Sequence, residues 1–279
     1  MMMKDTFNLP WLVRLQRSYE YPKKYGIMDK LFGKTISKNG ITWVKLLNGL
    51  LWKLDLNLAV HRWMIYGVYD AAFINWVKKN ATDKDVIIDS GANIGQSTAY
   101  FSKIAFNGKI LAFEPDDVAH SWVIESVEKN KLDNVEVIFK GLGSVSKTAY
   151  LEVPENGKKL GLHAYWSVVN DISGKEICIS TLDQELNIRG INNVFLWKLD
   201  VEGYEIPALE GARTLLENKQ IKALYIELTT KDDNNKKIIN YMSKLGYQLF
   251  YLNNKGNASQ SNQIYSYKTD GLFMPKTIK

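Results

Sequence analysis

The sequence contains almost no cysteine and little histidine, which excludes several kinds of site. Cys178 is the only cysteine among the 279 residues, so neither an intramolecular disulfide nor a zinc site built from cysteines can form. The three histidines, His61, His120 and His163, are scattered and give no His-x-x-x-His metal pair. We therefore expect a protein of a reducing compartment without a structural metal.

Long apolar runs are missing as well. Nowhere do about 18 apolar residues follow one another without interruption, so the sequence predicts no membrane-spanning helix. The opening residues, MMMKDTFNLPWLVRLQ, show no apolar signal core with a small-residue cleavage site after it. With 46% apolar and 24% charged residues, the composition is that of a folded globular protein, and we expect it in the cytoplasm.

Positive charge is confined to the N-terminal part of the chain. The formal net charge is +6, but residues 1–62 alone hold eleven Lys and Arg against four Asp and Glu. Two interpretations of this basic segment stay open: peripheral contact with an anionic membrane or glycan carrier, or a helical cap over the cofactor cleft or at a dimer face. Because the other 217 residues are near neutral, the broad basic face that nucleic acid requires is missing, and we expect no such partner.

Two hydrophobic patterns divide the chain near residue 80. Residues 1–80 are predicted to be mostly helical, because apolar residues recur at helical spacing from Trp43 to Trp52 and again over 68–77. From residue 81 onward, short apolar strands alternate with amphipathic helices. The predicted strands are 85–89, 109–113, 135–139, 148–153, 176–180, 194–200, 222–228 and 247–252, and the predicted helices are 93–104, 118–129, 205–216 and 235–245.

This alternation predicts an α/β fold. Short buried strands with helices between them form a mostly parallel, doubly wound, Rossmann-like sheet. The chain then divides into a helical N-terminal extension over 1–80 and a Rossmann-like domain over 81–279. Ligands of such a sheet bind at the carboxyl ends of its strands.

A glycine-containing turn between a strand and a helix is the strongest motif. In VIIDSGANIGQSTAYF a buried strand ends at Asp89, and a turn over residues 91–95 leads into a helix. Glycines in such a turn allow positive φ angles and let the backbone approach a ligand closely. Nineteen residues after Gly95 the next strand ends at Glu114, a position from which a carboxylate reaches ribose hydroxyls. The motif predicts a cofactor that contains a nucleoside.

Two cofactor classes use this arrangement, and the residues favour one of them. Nicotinamide enzymes carry G-x-G-x-x-G, but here Asn93 stands in place of the second glycine and Thr98 in place of the third. A carboxylate at Asp89 repels a pyrophosphate, whereas it suits an ammonium and tolerates a sulfonium. The pattern therefore favours S-adenosylmethionine over NAD, and an NAD-dependent oxidoreductase stays the alternative.

A second acidic motif lies in WKLDVEGYEIPALEGA, where a predicted strand ends at Asp200 and Glu202-Gly203 turns into a helix. In the doubly wound order this strand lies beside the first one, so Asp200 and Glu202 face the cleft that receives the transferred group. The alternative is that these carboxylates only cap the following helix.

Together these motifs resemble the FkbM family of S-adenosylmethionine-dependent methyltransferases. The resemblance runs in order through D-x-GANIG, AFEP, NVEVI, STLDQEL and KLDVEGYE, from about Asp85 to Leu228. It implies a seven-stranded sheet of the class I methyltransferase type, and it implies O-methylation, often of sugar hydroxyls in glycans or glycosylated metabolites. The chain departs from the family in having Leu142-Gly143-Ser144 where Val-Gly-Asp is frequent, which leaves the adenine-side contact open.

The motif and the resemblance define a candidate cofactor site. Asp70 enters it because the family often has an acidic residue at this place of HRWMIYGVYD. The predicted cofactor-binding residues are Asp70, Asp89, Ser90, Gly91, Ala92, Asn93, Gly95, Thr98, Glu114, Pro115, Asp116 and Gly141.

The predicted catalytic residues are Lys198, Asp200, Glu202 and Glu227. A sugar hydroxyl is a weak acid, so either a carboxylate removes its proton or a divalent cation such as Mg²⁺, held by Asp200 and a neighbour, acidifies it. Lys198 either pairs with a carboxylate and orients the acceptor or packs its stem in the core.

For the acceptor we predict contacts from His61 and Tyr66 and from three residues of a long polar segment, His163, Tyr165 and Trp166. The alternative for His61 is a neutral ring packed among aromatic residues, and that for the polar segment is an exposed loop. A saccharide or glycoconjugate is the expected partner. A Rossmann-like scaffold without catalysis is the alternative from another functional class.

Overall fold

A computed structural model of the chain describes residues 6–152, 167–169, 174–228, 233–260 and 270–276, with only the backbone for 167–169. Along these residues no helix combines the length and apolar character that crossing a bilayer requires. His163, Tyr165 and Trp166 lie outside the described residues.

The N-terminal part combines helices with a small three-stranded sheet, which corrects the expectation of a mostly helical extension. Its elements are β1 (Thr6–Phe7), α1 (Trp11–Gln16), α2 (Lys24–Ile36), β2 (Ile41–Lys45), β3 (Leu51–Asp55), α3 (Ala59–Tyr66) and α4 (Ala71–Asn80), with a 3₁₀ turn over Ser37–Asn39. The strands are ordered β1-β2-β3.

The predicted helix from Trp43 to Trp52 is wrong, because this segment forms the β2–β3 hairpin. Leu46 and Leu50 close the hairpin through a backbone hydrogen bond of 2.8 Å, and Gly49 has a φ of 90°. An Asn-Gly pair between two apolar runs is a hairpin signal that the helical spacing of the leucines conceals.

The central sheet has eight strands in the order β6-β5-β4-β11-β12-β15-β13-β14. Strands β4, β5, β6, β11 and β12 pair in parallel, and β15 runs antiparallel to both β12 and β13. This confirms the predicted Rossmann-like sheet, but with eight strands instead of seven, and β14 and β15 were not among the predicted strands. The bounds are β4 (Val86–Ser90), β5 (Lys109–Phe113), β6 (Val135–Ile138), β11 (Val194–Leu199), β12 (Ile221–Ile226), β13 (Tyr247–Leu252), β14 (Ala258–Gln260) and β15 (Gly271–Pro275).

Helices follow the strands as the alternation predicts. They are α5 (Gln96–Ile104), α6 (Asp117–Asn130), α7 (Leu182–Ile188), α8 (Glu205–Glu210), α9 (Arg213–Glu217) and α10 (Asp233–Lys244). The predicted helix 205–216 is divided at Gly211, where a Cβ atom would lie 1.9 Å from the Gly143 carbonyl oxygen. This close backbone approach explains both the glycine and the break.

A four-stranded sheet covers one end of the central sheet. It consists of β7 (Gly141–Leu142), β8 (Lys147–Glu152), β9 (Ser167–Val169) and β10 (Lys175–Ser180), in the order β7-β10-β8-β9. The two predicted strands of this region therefore pair with each other as β8 and β10, antiparallel.

Hydrophobic contacts tie the N-terminal part to the central sheet. Trp52, Leu54 and Tyr66 belong to the same buried cluster as Ala99 of α5 and Val123 of α6. The Trp52 indole N–H also donates to the Ile94 carbonyl oxygen at 2.6 Å. The extension thus packs on the helical layer beside β4, although the boundary near residue 80 stays a prediction.

Candidate functional site

A cavity of about 730 Å³ opens at the carboxyl ends of β4, β5, β11 and β12. Parallel strands with this order present their carboxyl ends to a common crevice, which is where doubly wound sheets bind ligands. The amino end of the antiparallel β15 reaches the same edge, and α3, the segment between α3 and α4, and the four-stranded sheet form the remaining walls. A volume of this size suits one cofactor together with part of a second molecule.

The turn after β4 forms the floor of the cavity. Gly91 has a φ of 70°, and a Cβ atom there would lie 1.8 Å from the Asp200 carbonyl oxygen. The backbone N–H groups of Gly91 and Ala92 donate to the Phe113 carbonyl oxygen at 3.1 and 3.0 Å. Three strand ends therefore meet at this turn, and only glycine fits its centre.

Glu114 lies in the cavity wall and is held by backbone donors. Its carboxylate accepts hydrogen bonds from the N–H groups of Asn93 at 2.7 Å and Asp116 at 2.8 Å. Burial raises the pKa of Glu114 to about 7, against the lowering effect of these two bonds. A cation or a set of hydroxyl donors at this wall would stabilise the ionised carboxylate.

Asp89 lies beneath the cavity and is not part of its lining. Its side chain is fully buried, and one carboxylate oxygen accepts a hydrogen bond of 2.6 Å from the Thr98 hydroxyl. The other oxygen has no hydrogen-bond partner and lies 3.7 Å from the Lys198 ammonium. Burial raises the pKa of Asp89, whereas Lys198 lowers it. Asp89 therefore does not line the cavity itself, and its charge affects the cavity by attracting the Lys198 ammonium.

Lys198 joins the floor to an acidic cluster. Its ammonium donates to Asp200 at 3.0 Å, so the predicted pairing is confirmed. Burial acts to lower the pKa of Lys198, but the carboxylates of Asp200 and Asp89 raise it by more. Asp200 in turn lies close to Glu202 and Glu227, with one carboxylate oxygen of each within 4.8 Å of the others.

Neither Asp200 nor Glu202 caps the following helix. Tyr204 occupies the N-cap position of α8, and the Gly203 N–H donates to Glu205 instead. The capping alternative is therefore wrong, and both carboxylates line the cavity.

A second acidic pair, which the sequence did not predict as a pair, flanks a tyrosine. The Tyr225 hydroxyl lies close enough to the side chains of Asp70 and Asp270 to lower the pKa of both. Burial is the main reason why the pKa of Asp70 rises to about 6 and that of Asp270 to about 7. This half of the cavity can therefore take up or release a proton near neutral pH.

Aromatic and apolar side chains form two further walls. Trp63 and Tyr69 stack with ring centres 5.5 Å apart, and Tyr25 of α2 contacts Tyr69 edge-on at 5.7 Å. Trp63, Tyr69, Tyr204 and Tyr225 all line the cavity, and none of them was predicted as a site residue. The opposite end is apolar and is lined by Phe113, Pro115, Gly141, Leu142, Leu151, Ile177 and Ile179.

Several predicted residues lie away from the cavity lining. His61 is buried, accepts the Asp55 N–H at 2.9 Å and contacts the Trp122 ring edge-on, which is the packed alternative. Tyr66 donates to Asp29 at 3.0 Å. Asp116 accepts the Ala119 N–H at 2.8 Å and caps α6. Gly95 packs against the Trp52 ring. The structure does not bring these four residues to the cavity.

Most of the other predictions lie in the lining. The predicted residues that reach it are Asp70, Ser90, Gly91, Ala92, Asn93, Glu114, Pro115, Gly141, Lys198, Asp200, Glu202 and Glu227. Ser90 also accepts a hydrogen bond of 2.8 Å from the Trp197 indole N–H. In the described residues, six non-glycine positions have positive φ, and three of them, Asp70, Asn93 and Glu202, line the cavity. Such backbone strain is typical of functional sites.

The lining carries far more negative than positive charge. Among the described residues, its acidic side chains are Asp70, Glu114, Asp200, Glu202, Glu227 and Asp270, and Lys198 is its one basic side chain. A cavity of this kind attracts cations and repels phosphates.

Comparison with protein families identifies the chain. Residues 89–249, more than half of its length, match the model of the methyltransferase FkbM domain. The chain belongs to this family. The match begins at Asp89 and contains both acidic motifs, so the FkbM resemblance drawn from the sequence is confirmed.

Two of the proteins similar to this chain are named as methyltransferases. Methyltransferase 1 of Beauveria bassiana is 27% identical over 146 residues, which cover 46% of this chain and 59% of that protein. Among solved structures, methyltransferase FkbM from Methylobacillus flagellatus is 19% identical with a TM-score of 0.47, over 69% of this chain and 44% of that one. M. jannaschii TYW2, solved with AdoMet, is 14% identical with a TM-score of 0.41, over 84% of each chain. The chain thus spans about half the length of the first two relatives.

Proposed function

We propose that this FkbM-family protein is an S-adenosylmethionine-dependent O-methyltransferase that modifies a hydroxyl group of a saccharide. The observation that carries the proposal is the acidic cavity at the carboxyl ends of β4 and β11. Six carboxyl side chains and one ammonium suit a ligand that brings positive charge into the crevice.

The residues present fit S-adenosylmethionine. The apolar end around Leu151, Ile177 and Ile179 suits an adenine ring, and Glu114 beside it suits the ribose hydroxyls. The glycine turn at Gly91 leaves room for a ligand to lie against the backbone. When bound, this cofactor supplies a methyl group on a sulfonium, which an acceptor oxygen attacks in line.

The same lining argues against the nicotinamide alternative. A dinucleotide needs its pyrophosphate at the turn after β4, where the N–H groups of Gly91 and Ala92 are already donated to Phe113. The carboxylate of Glu114 also lines this part of the cavity and would repel the phosphates.

Two features of the other half support a hydroxyl acceptor. A hydroxyl must lose its proton, and Asp200, Glu227 and Asp270 offer carboxylates at the cavity surface for that role. The stacked rings of Trp63 and Tyr69 present an aromatic face of the kind on which the C–H face of a sugar packs. The oxygen ligands of Asp200, Glu202 and Glu227 are also of the type that Mg²⁺ prefers, so metal assistance stays the alternative to a carboxylate base.

Calorimetry and product analysis test the proposal. We expect saturable binding of S-adenosylmethionine without binding of NAD, and a mass increase of one methyl group on an oligosaccharide incubated with protein and cofactor. Binding of NAD alone would contradict the proposal, and binding without turnover on any acceptor would favour the scaffold alternative. Activity that survives EDTA excludes the metal route, and full activity of Asp200→Ala excludes both the metal route and a base at this position.

A further inference from the structure

The outer sides of α1 and α2 expose large apolar side chains. On α1, Val13 is fully buried, and Trp11 and Leu15 point away from it with exposed fractions of 65% and 52%. On α2, Leu31 is 65% exposed, and Ile27 one turn before it is also exposed. Large apolar side chains exposed on two surface helices that both pack on α3 indicate a contact surface.

Exposed basic residues accompany these apolar ones. Positions 23, 27, 30, 31 and 34 follow the spacing that puts side chains on one side of a helix. Three of these positions are exposed lysines, and Arg14 is exposed on α1. We define the N-terminal surface as Trp11, Arg14, Leu15, Lys23, Ile27, Lys30, Leu31 and Lys34.

The acidic residues of the same stretch are bound elsewhere. Glu20 pairs with the buried Lys24 at 2.9 Å, and Asp29 pairs with Arg62 at 2.6 Å. Over residues 6–40 these are the two acidic side chains, so none is left to neutralise the outward lysines. Part of the excess positive charge found in the sequence is therefore displayed on this surface, through Arg14, Lys23, Lys30 and Lys34.

We propose that the N-terminal surface docks on an anionic lipid bilayer. Amphipathic helices with aromatic and aliphatic residues beside lysines bind the headgroup region in this way, because apolar burial and attraction to anionic lipids act together. A second copy of the chain fits less well, because a twofold contact would place these lysines against each other. Nucleic acid offers no partner for Leu15, Ile27 and Leu31, since its interfaces are polar.

The position of this surface connects it with the cavity, and this step rests on the proposed function. Helix α2 packs against α3, which contributes Ala59, Val60 and Trp63 to the cavity lining. Tyr25 of α2 touches the cavity residue Tyr69. Docking would place the half of the cavity that binds the acceptor one helix away from the lipid headgroups. This position suits a saccharide carried on a lipid.

Vesicle sedimentation of the full chain tests the docking. We expect binding to vesicles of phosphatidylserine and phosphatidylcholine at low salt, weaker binding at high salt, and little binding to phosphatidylcholine alone. A lysine near an anionic surface contributes about fivefold in affinity, so K30Q/K34Q should weaken binding about 25-fold. L31S should weaken it as well, because an apolar contact is lost.

Matched controls make the result decisive. K236Q/K237Q removes the same charge from exposed positions of α10, and I188S alters a side chain that is 66% exposed, like Leu31. Both controls should sediment like the unmodified chain. Equal losses in the controls, no binding of the unmodified chain to anionic vesicles, or a dimer in solution that L31S dissociates would each overturn the proposal. Calorimetry with S-adenosylmethionine on the same variants keeps this outcome separate from failure of the proposed methyl transfer.

Discussion

The two halves of the cavity are built in different ways. In the cofactor half, the turn after β4, Glu114 and the end of β11 are held by backbone contacts among neighbouring parallel strands. In the acceptor half, Asp70 precedes α4, Tyr225 lies in β12 and Asp270 precedes β15, so their side chains meet only through the tertiary fold.

The two halves should therefore respond to different kinds of mutation. The cofactor half depends on the absence of a side chain at Gly91, so we expect it to be sensitive to added volume. The acceptor half depends on carboxyl groups whose charge is set by burial and by each other, so we expect it to be sensitive to isosteric changes that remove charge.

The largest effect is expected from Gly91→Ala. The new Cβ atom would overlap the Asp200 carbonyl oxygen, and the backbone there has a φ of 70°. The turn must move by about 1 Å, and a displacement of this size costs about 100-fold or more in affinity or rate. Calorimetric affinity for S-adenosylmethionine measures it.

Gly190→Ala is the matched control for Gly91→Ala. Gly190 has a φ of 64°, lies outside the cavity lining and leaves free space for a Cβ atom. Its replacement carries only the strain of a left-handed residue, about 1 kcal/mol of unfolding free energy. If both variants bound the cofactor equally well, the turn would not be the floor of the cofactor site.

In the acceptor half, Asp200→Asn should lower kcat about 100-fold, the scale of a lost acid–base group. The cofactor Kd should change by less than about threefold, because the backbone of Asp200, not its side chain, abuts the glycine turn. Steady-state kinetics with calorimetry separate the two quantities. The exposed Asp133, changed to Asn, is the control. A large loss of cofactor affinity in Asp200→Asn would contradict the division of the cavity into a cofactor half and an acceptor half.

The same division explains what could be predicted from the sequence. The turn at residues 91–95 and the strand ends at Glu114 and Asp200 are local patterns, and a parallel sheet brings its carboxyl ends together by rule. Asp270 escapes that rule because it precedes an antiparallel strand, whose amino end reaches the same edge. Its position depends on strand direction, which the segment DGLFMP does not specify.

Other misses have similar causes. Trp63 and Tyr69 form a wall only because α3 folds back over the strand ends, and helical spacing does not reveal which neighbour a helix will meet. His61 and Tyr66 also belong to α3. Their side chains form hydrogen bonds with the Asp55 backbone N–H and the Asp29 carboxylate and do not reach the cavity. The motifs at the strand ends thus predict which residues line the cavity, whereas the sequence of α3 does not.

A pH titration of cofactor binding tests the contribution of the Glu114 charge to the cofactor half. The pKa of free Glu114 is about 7, and a cationic ligand with hydroxyl donors prefers the ionised form. Affinity for S-adenosylmethionine should therefore rise as pH increases through 7, by about tenfold between pH 6 and pH 8 from this group. In Glu114→Gln this part of the pH dependence should disappear. A variant that kept the full pH dependence would place the titrating group elsewhere.

The smallest effect is expected in the aromatic wall. Trp63→Leu removes the ring that stacks on Tyr69 and faces the cavity, so the acceptor KM should rise about fivefold, the scale of one aromatic stacking contact. The cofactor Kd should stay unchanged, because the carboxylates and the glycine turn are untouched. Trp43→Leu is the matched control, since Trp43 is also half-buried but packs under Lys129, away from the cavity. An equal rise in KM in both variants would mean that Trp63 stabilises the fold and does not contact the acceptor, and the acceptor half would then rest on its carboxyl groups alone.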